Sequence, residues 1–531
     1  MIMDRQVVSL FFVSLIFIAL WYSYPSSVRL EPPVDKGYCS DCNVILISVD
    51  TLRPDFLGAY GGGMDVSPNI DELAQESALF TKAYAQATVT APSHMSLMTS
   101  TYPSQHKICN WASESPRCSH QLDEGIVTLA QVLADDGYRT IAYSGGGNVG
   151  GKLGFDRGFH EYHESVDPFD EYLGGGNRKK TYDKMINDLD MLSSERFFMF
   201  IHTYKVHDPY YPAEETIKAR CGNANSSVIS SLRQLNERVV QELRSRPSSA
   251  TSKATLKAFR DREFMVALTR ELGDDEKENA RILADGISGL NDKGFFIRFS
   301  KTIARTLTFE WEDRTDADLD YLKCLYEAEI HELDRDLGAF FKHLEDVVLM
   351  EDTIIIFTSD HGEEFLEHGG FLHEKLYNEI IHVPLMIRDP RDKGVGRVVE
   401  GNVRSIDVAP TILDMLNITR PKQFLGKSLV DMMRGVGGSG NVISECNAHA
   451  GRSVIEDGMK AISYPEESIL FNLSSDPGEE EELSSEHEGL MNQMIIRLNS
   501  YLESLEHVRG QPKQNDPDDA TVQQLRALGY V

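Results

Sequence analysis

Short apolar runs, several closed by an acid or another polar residue, recur along this chain. Asn43-Val-Ile-Leu-Ile-Ser-Val-Asp50 is the first, and similar runs follow at Thr140–Ser144, Phe197–Tyr204, Thr353–Asp360 and Val383–Ile387. Runs of this length read as strands buried on both faces of a parallel sheet. Helical periodicity lies between several of them, as in Val127–Asp136 and Tyr326–Leu344. The alternation predicts an α/β core that is doubly wound, a mostly parallel central sheet with helices on both faces. In such folds ligands sit at the carboxyl ends of the strands, which is where Asp50 and Asp360 fall.

Three regions depart from this pattern. Residues from about 213 to 320 are rich in charge and Ser, show helical periodicity in Val228–Arg246 and Ala254–Leu272, and contain no buried strand. They read as a helical insertion, a solvated lid or packing module within a core spanning 43–420. Residues 421–531 are Gly-rich at Arg434–Gly440 and suggest a hairpin near Met459–Leu473, which predicts a smaller C-terminal α+β subdomain. Within it the acidic run Glu479–Glu482 reads as solvated surface. At the other end, Val7–Trp21 carries no charge and follows Arg5. Its length suits a signal peptide or a short signal anchor, with residues 26–42 as a tether. No small-x-small cleavage site follows. Either way the protein is expected to be exported, anchored to the membrane through this segment and facing outside, or secreted.

The formal net charge is −30, from 53 basic and 83 acidic residues, which argues against a nucleic-acid partner. A chain this acidic that binds an anionic ester has to place cations locally, so a bound metal becomes attractive. Seven cysteines occur, and Cys39-x-x-Cys42 lacks the second pair that a zinc ribbon needs. Export permits disulfides, with Cys109 and Cys118 near enough to close a short loop. The odd count leaves at least one thiol unpaired or bonded to another chain. Asn225, Asn417 and Asn472 stand in glycosylation-acceptor triplets.

Three segments carry candidate chemistry. In Val49-Asp50-Thr51-Leu52-Arg53, Asp50 can ligate a hard cation or cap a helix, and Arg53 can meet an anionic substrate. In Thr90-Ala91-Pro92-Ser93-His94 the leading hydroxyl is a nucleophile or a simple helix cap, Pro suiting the first turn. Ser359-Asp360-His361-Gly362, then Glu367-His368-Gly369 and His373, offer oxygen and imidazole ligands to one ion. Of 16 histidines in the chain, three fall within this short stretch, more than composition suggests.

Taken in order, these strings resemble the sulfatase family of the alkaline phosphatase superfamily. Leu57-Gly58-Ala59-Tyr60-Gly61, Ser67-Pro68-Asn69-Ile70-Asp71, Val206-His207-Asp208-Pro209-Tyr210 and Val383-Pro384-Leu385 support the likeness. It runs from about Asn43 to the C-terminus, except the insertion. The resemblance implies that Asp50, Asp360 and His361 hold one divalent metal ion: Ca²⁺, Mg²⁺ or Mn²⁺, with Zn²⁺ a further option. It puts Thr90 at the nucleophile position. His207 and His373 fall where the family contacts the sulfuryl or phosphoryl group or supplies an acid, and His94 joins Arg53 as a substrate-binding residue.

The departures from the family pattern are informative. Sulfatases carry Cys-x-Pro-Ser-Arg, whose Cys is oxidised to formylglycine; here Thr90 and His94 occupy the ends, and Thr cannot become that aldehyde. No formylglycine is expected. Thr51 replaces the second Asp of an Asp-Asp pair, His373 stands where many sulfatases have Lys, and Ser144-Gly-Gly-Gly-Asn148 replaces a Gly-Lys-x-His string. The expected activity is metal-dependent hydrolysis of sulfate or phosphate esters through Thr90. The alternatives are a phospho-group transferase or phosphodiesterase acting on envelope or extracellular glycans or lipids, and a non-catalytic binding protein. Retention of Asp50, Asp360, His361, His207 and His373 speaks against the last.

Overall fold

The structure, a computed structural model, describes residues 39–222 and 316–525 apart from short breaks, all within the unit Cys39–Val531. The apolar N-terminal run, the periodic segments Val228–Arg246 and Ala254–Leu272, and Asn225 lie outside the described residues.

Eight strands form the central sheet: β1 (Asn43–Val49), β2 (Ala78–Tyr84), β3 (Arg139–Ser144), β4 (Glu161–Glu164), β5 (Phe197–Thr203), β6 (Thr353–Ser359), β7 (His382–Arg388) and β8 (Arg397–Arg404). Their order across the sheet is β8-β2-β7-β6-β1-β5-β3-β4. Only β7 runs antiparallel to its neighbours β2 and β6. β1, β5 and β6 are buried along their whole length, so both faces must be covered.

Side-chain alternation decides what covers each face. Val44 and Leu46 share one face with Phe198, Phe200, Ile354 and Ile356, under α2 (Thr90–Thr99), α3 (Leu129–Asp135) and α6 (Val408–Met415). Ile45 and Ile47 turn to the other face with Met199, Ile201, Ile355 and Phe357, under α1 (Pro68–Gln75), α4 (Arg178–Leu192) and α5 (Asp316–Asp346). Local signals start these helices. Pro68 opens α1, and Thr128 and Gln131 form a reciprocal capping box at the head of α3.

The C-terminal subdomain is a four-stranded antiparallel sheet of β9 (Val442–Cys446), β10 (Gly451–Glu456), β11 (Met459–Ser463) and β12 (Ser468–Asn472). Helix α7 (Glu488–Ser504) lays Met491, Met494, Leu498 and Leu502 on Ile443, Val454, Ala461 and Leu470. Those four positions make one helical stripe. β11 and β12 are the hairpin that the pattern suggested.

Cys39–Cys42, Cys109–Cys118 and Cys221–Cys324 are disulfides, and Cys446 is a buried thiol outside them that donates to the Glu374 carbonyl at 2.9 Å. Cys221 follows the helix Glu214–Arg220 and Cys324 lies in α5, so this bond joins two elements far apart in sequence.

One expectation needs correcting. The acidic run Glu479–Glu482 is not uniformly solvated surface: Glu479 is only 2% exposed. Its carboxylate meets the ammonium of Lys460 at 2.7 Å, and both side chains are fully buried. The backbone N–H of Asn378 donates to the other carboxylate oxygen at 2.6 Å, and Lys460 also donates to Asn378 Oδ1. Removing one member of a buried ion pair strands the other charge, at a cost of about 3–5 kcal/mol. Glu479→Ala should therefore lower unfolding stability by about that amount. Glu481→Ala, on the solvated part of the run, should stay within about 0.5 kcal/mol. Urea denaturation of both variants checks this, and equal midpoints would contradict the buried pair.

Candidate active site

Register in the middle of the sheet builds the site. Ser48 pairs with His202 on β5 and with Thr358 on β6, and Val49 pairs with Thr203 and Ser359. The carboxyl ends of three adjacent strands thus lie level, and the residues leaving them, Asp50 and Asp360-His361, meet. One ligand atom from each of Asp50, Asp360 and His361 lies within 4.8 Å of the others, all buried. His361 Nε2 is 3.3 Å from Asp360 Oδ2 and 3.8 Å from Asp50 Oδ1.

These three atoms are buried without a hydrogen-bond partner. Buried polar atoms are nearly always paired, so three orphans facing one another fit a cation between them. The tautomer fits too. His361 Nδ1 lies 2.9 Å from the Gly362 carbonyl, which can only accept, so Nδ1 carries the proton and Nε2 keeps its lone pair for the centre. Burial and the nearby Asp360 charge push the Asp50 carboxyl well above its usual range, against the Thr90 hydrogen bond that lowers it. Burial also disfavours the Asp360 charge, but His361 and His94 outweigh it and hold that carboxyl below its usual range. Burial depresses His361 to about 3, against the opposing pull of Asp360, so the imidazole stays neutral. Two carboxylates and a neutral imidazole suit Mg²⁺, Mn²⁺ or Ca²⁺, with Zn²⁺ also compatible.

Thr90 is fully buried at the first position of α2, and its hydroxyl hydrogen-bonds the Asp50 carboxylate. Ser93 of the same turn donates to the Asp360 carbonyl at 2.5 Å. The helix therefore starts against both acids. Its N-terminus also directs partial positive charge at the hydroxyl.

His207 and His373 stand together beside this centre. Their ring centroids are 5.6 Å apart, and the His373 ring is 4.4 Å from that of His361. The polar atoms of His94 and Arg53 are engaged with protein groups. His94 is fully buried, with Nε2 2.9 Å from Ser48 Oγ and Nδ1 3.0 Å from the Thr90 carbonyl. Arg53 directs its guanidinium to Asp55, to the Glu363 carbonyl and to Glu367. Thr51, in place of the family's second Asp, has φ 58° and turns its hydroxyl to the carbonyls of Asp50 and Val206. A β-branched residue in that region is strained, so the surrounding bonds must impose the conformation.

Some participants escaped the sequence reading. His202 on β5 sits with Nε2 3.4 Å from Asp50 Oδ2, and Glu363 bonds both His373 and Tyr210. A histidine in an otherwise apolar, fully buried strand was the available signal for His202.

An α/β fold with a buried acid–imidazole cluster at the strand ends, and a hydroxyl on it, defines a class of hydrolase. The Sulfatase family model matches residues 42–418, and that for N-sulphoglucosamine sulphohydrolase, C-terminal, matches residues 366–507. The chain belongs to the sulfatase family of the alkaline phosphatase superfamily. It is 23% identical to N-acetylglucosamine-6-O-sulfatase of Bacteroides thetaiotaomicron over 510 residues, covering 90% of this chain and 88% of the relative. Arylsulfatase K of Mus musculus is 31% identical over 189 residues, 32% of this chain and 34% of that protein. In fold it is similar to BT4656, solved with its substrate D-glucosamine-2-N,6-O-disulfate (TM-score 0.62, 19% identity, 90% of this chain and 99% of that one). The phosphonate monoester hydrolase of Agrobacterium radiobacter is similar as well (TM-score 0.59, 19% identity, 88% and 95% covered).

The cluster generates a direct prediction. His361→Ala should weaken Mn²⁺ or Ca²⁺ binding by more than the ~10–100-fold typical of losing a mere outer-shell partner. It should also abolish the rise in melting temperature that metal produces by binding the folded state. Titration calorimetry and thermal melts with and without metal test this. A variant with the parent's full metal-dependent rise would remove His361 from the ligand set.

Proposed function

We propose that this protein hydrolyses sulfate or phosphate esters with Thr90 as nucleophile and a divalent metal ion held by Asp50, Asp360 and His361. The observation that carries the reading is the Thr90 hydroxyl: fully buried, at a helix N-terminus, and hydrogen-bonded to Asp50 among the orphaned ligand atoms. A cation bound there supplies charge neutralisation that makes the hydroxyl more acidic and the ester more electrophilic. Thr90 Oγ1 attacks sulfur or phosphorus in line as its proton passes to the Asp50 carboxylate that it hydrogen-bonds, and the bond to the ester oxygen breaks. His373 or His207 gives the departing oxygen a proton. Water then attacks the same sulfur or phosphorus, giving its proton to the histidine that protonated the departing oxygen; the bond to Oγ1 breaks, and Thr90 takes its proton back from Asp50.

The second step sets this chain apart from a formylglycine sulfatase. A hydrated aldehyde has a second oxygen with which to expel sulfate by C–O cleavage. A Thr90 ester has none and must be cleared at sulfur or phosphorus. Arg53 and His94 act here by holding the site rather than by touching the ester, since their polar atoms are engaged with protein groups.

The names of the relatives favour a sulfated glycan as substrate, and the phosphonate hydrolase keeps phosphoryl esters in view. Transfer to another hydroxyl instead of water is the second reading. It draws on the uncharged run Val7–Trp21, which would hold the enzyme near envelope glycans or lipids. Three disulfides support an exported enzyme. Among the described residues no helix is long and apolar enough to cross a membrane. We further propose a catalytic α/β domain over residues 43–420 with a helical insertion at about 213–320, and a C-terminal subdomain over 421–531.

Thr90→Ala should lower kcat by about 10³-fold or more, as loss of a nucleophile does elsewhere, while metal binding persists. Thr90→Cys should gain no sulfatase activity, because His94 stands where the maturation motif has Arg. Steady-state assays on aryl sulfate, phosphate monoester and phosphodiester substrates, with mass measurement of residue 90, check both. A Thr90→Ala protein working at the parent rate would move the nucleophile elsewhere.

A further inference from the structure

Glu363 joins the two segments that carry the histidines beside the metal cluster. Its main chain is pinned: the N–H donates to the Glu379 carbonyl at 3.1 Å, and its carbonyl accepts from Arg53 at 2.9 Å. Its side chain is 1% exposed. One carboxylate oxygen, Oε1, lies 3.2 Å from His373 Nδ1, and the other, Oε2, accepts from the Tyr210 hydroxyl at 3.2 Å. Tyr210 follows His207 closely in the chain and packs edge-on against Tyr326, ring centroids 5.4 Å apart. His373 Nε2 has no protein partner among the described residues, and its ring is 4.4 Å from that of His361 and 5.6 Å from that of His207.

The His373 loop is held from several sides. Glu364 Oε1 accepts from the backbone N–H groups of His368 and Gly370 and from Lys375. Leu372, just before His373, has φ 70°, a region that a non-glycine residue occupies only when its surroundings impose it. An orientation held at that cost calls for a use.

We propose that Glu363 is the positioning residue for His373. It holds Nδ1 by a hydrogen bond so that Nε2 is the nitrogen offered to the ester, and through Tyr210 it keeps the His207 segment aligned with it. The bond serves in either protonation state, because Nδ1 carries its proton in both. Orientation of an imidazole by a carboxylate is a general device of catalytic and metal-binding histidines. This inference rests on the reading above, in which His373 acts at the ester.

The test is a double-mutant cycle on the full-length, metal-loaded enzyme with an aryl sulfate ester, using Glu363→Ala, His373→Ala and the pair. Glu363→Gln and Tyr210→Phe accompany them, because Gln keeps the size of Glu and an acceptor oxygen for Nδ1. Glu363→Ala should lower kcat by about 10–100-fold, the range for a supporting partner, and move KM less than about twofold. Added to His373→Ala it should cost almost nothing more, since residues acting as a unit are non-additive. Glu363→Gln should recover most of the loss, and Tyr210→Phe should show a smaller loss in kcat. A merely structural role would lower the melting temperature and leave the losses multiplicative. If Glu363→Ala does not fold, Glu363→Met, which keeps the bulk but removes the acceptor, carries the cycle, and multiplicative losses there would overturn the proposal. An impaired His373→Ala beside a fully active Glu363→Ala would overturn it alone. A fully active His373→Ala would overturn the reading on which it rests.

Discussion

Three buried ligand atoms with no hydrogen-bonding partner, at the point where three strands end, set the terms for this molecule. Asp50 Oδ1, Asp360 Oδ2 and His361 Nε2 face one another and are all buried. Two carboxylates at this spacing cannot both stay charged in a poorly solvated site unless a cation joins them. Without one they divide the difficulty, burial and the neighbouring charge moving Asp50 toward its protonated form while Asp360 stays below its usual range. The sheet makes the arrangement possible, because register alone brings residues so distant in sequence to one point.

The positions at which the sequence departs from the expected sulfatase pattern belong to the same constraint. Threonine at position 90 offers one oxygen, which Asp50 engages. His94 keeps contact with that turn of helix through the Thr90 carbonyl and is braced by Ser48 on β1. Thr51 gives up a carboxylate and serves the backbone instead, its N–H meeting Asp360 Oδ1 at 3.3 Å and its carbonyl accepting from Tyr326. The cluster is tightly held.

Much of this was legible in the chain. β1 and β6 are apolar runs ending in acids, and a sheet covered on both faces requires such runs. The sequence pattern did not expose β2 and β8, because Lys82, Arg397 and Glu400 break their runs near the edge of the sheet, where burial is partial. Glu479 was hidden by its acidic neighbours, since burial of one residue in a charged run depends on a lysine elsewhere in the chain. Arg53 shows the opposite limit. Its position beside Asp50 invites a substrate role, while its actual partners Asp55 and Glu367 emerge only from the fold. His202 and Glu363 act through neighbours supplied by other segments, so no local motif announces them.

The claim at the centre is that the transferred group rests on Thr90 before it reaches water. Stereochemistry at the transferred atom tests this without any need for the intermediate to accumulate. A sulfate or phosphate ester with one non-bridging oxygen replaced by sulfur and the others labelled as different oxygen isotopes is hydrolysed by the metal-loaded enzyme in water of the third isotope, and the configuration of the inorganic thio product is read. Two in-line displacements, first by Thr90 and then by water, predict net retention. Net inversion would mean a single direct attack by water and would contradict the account.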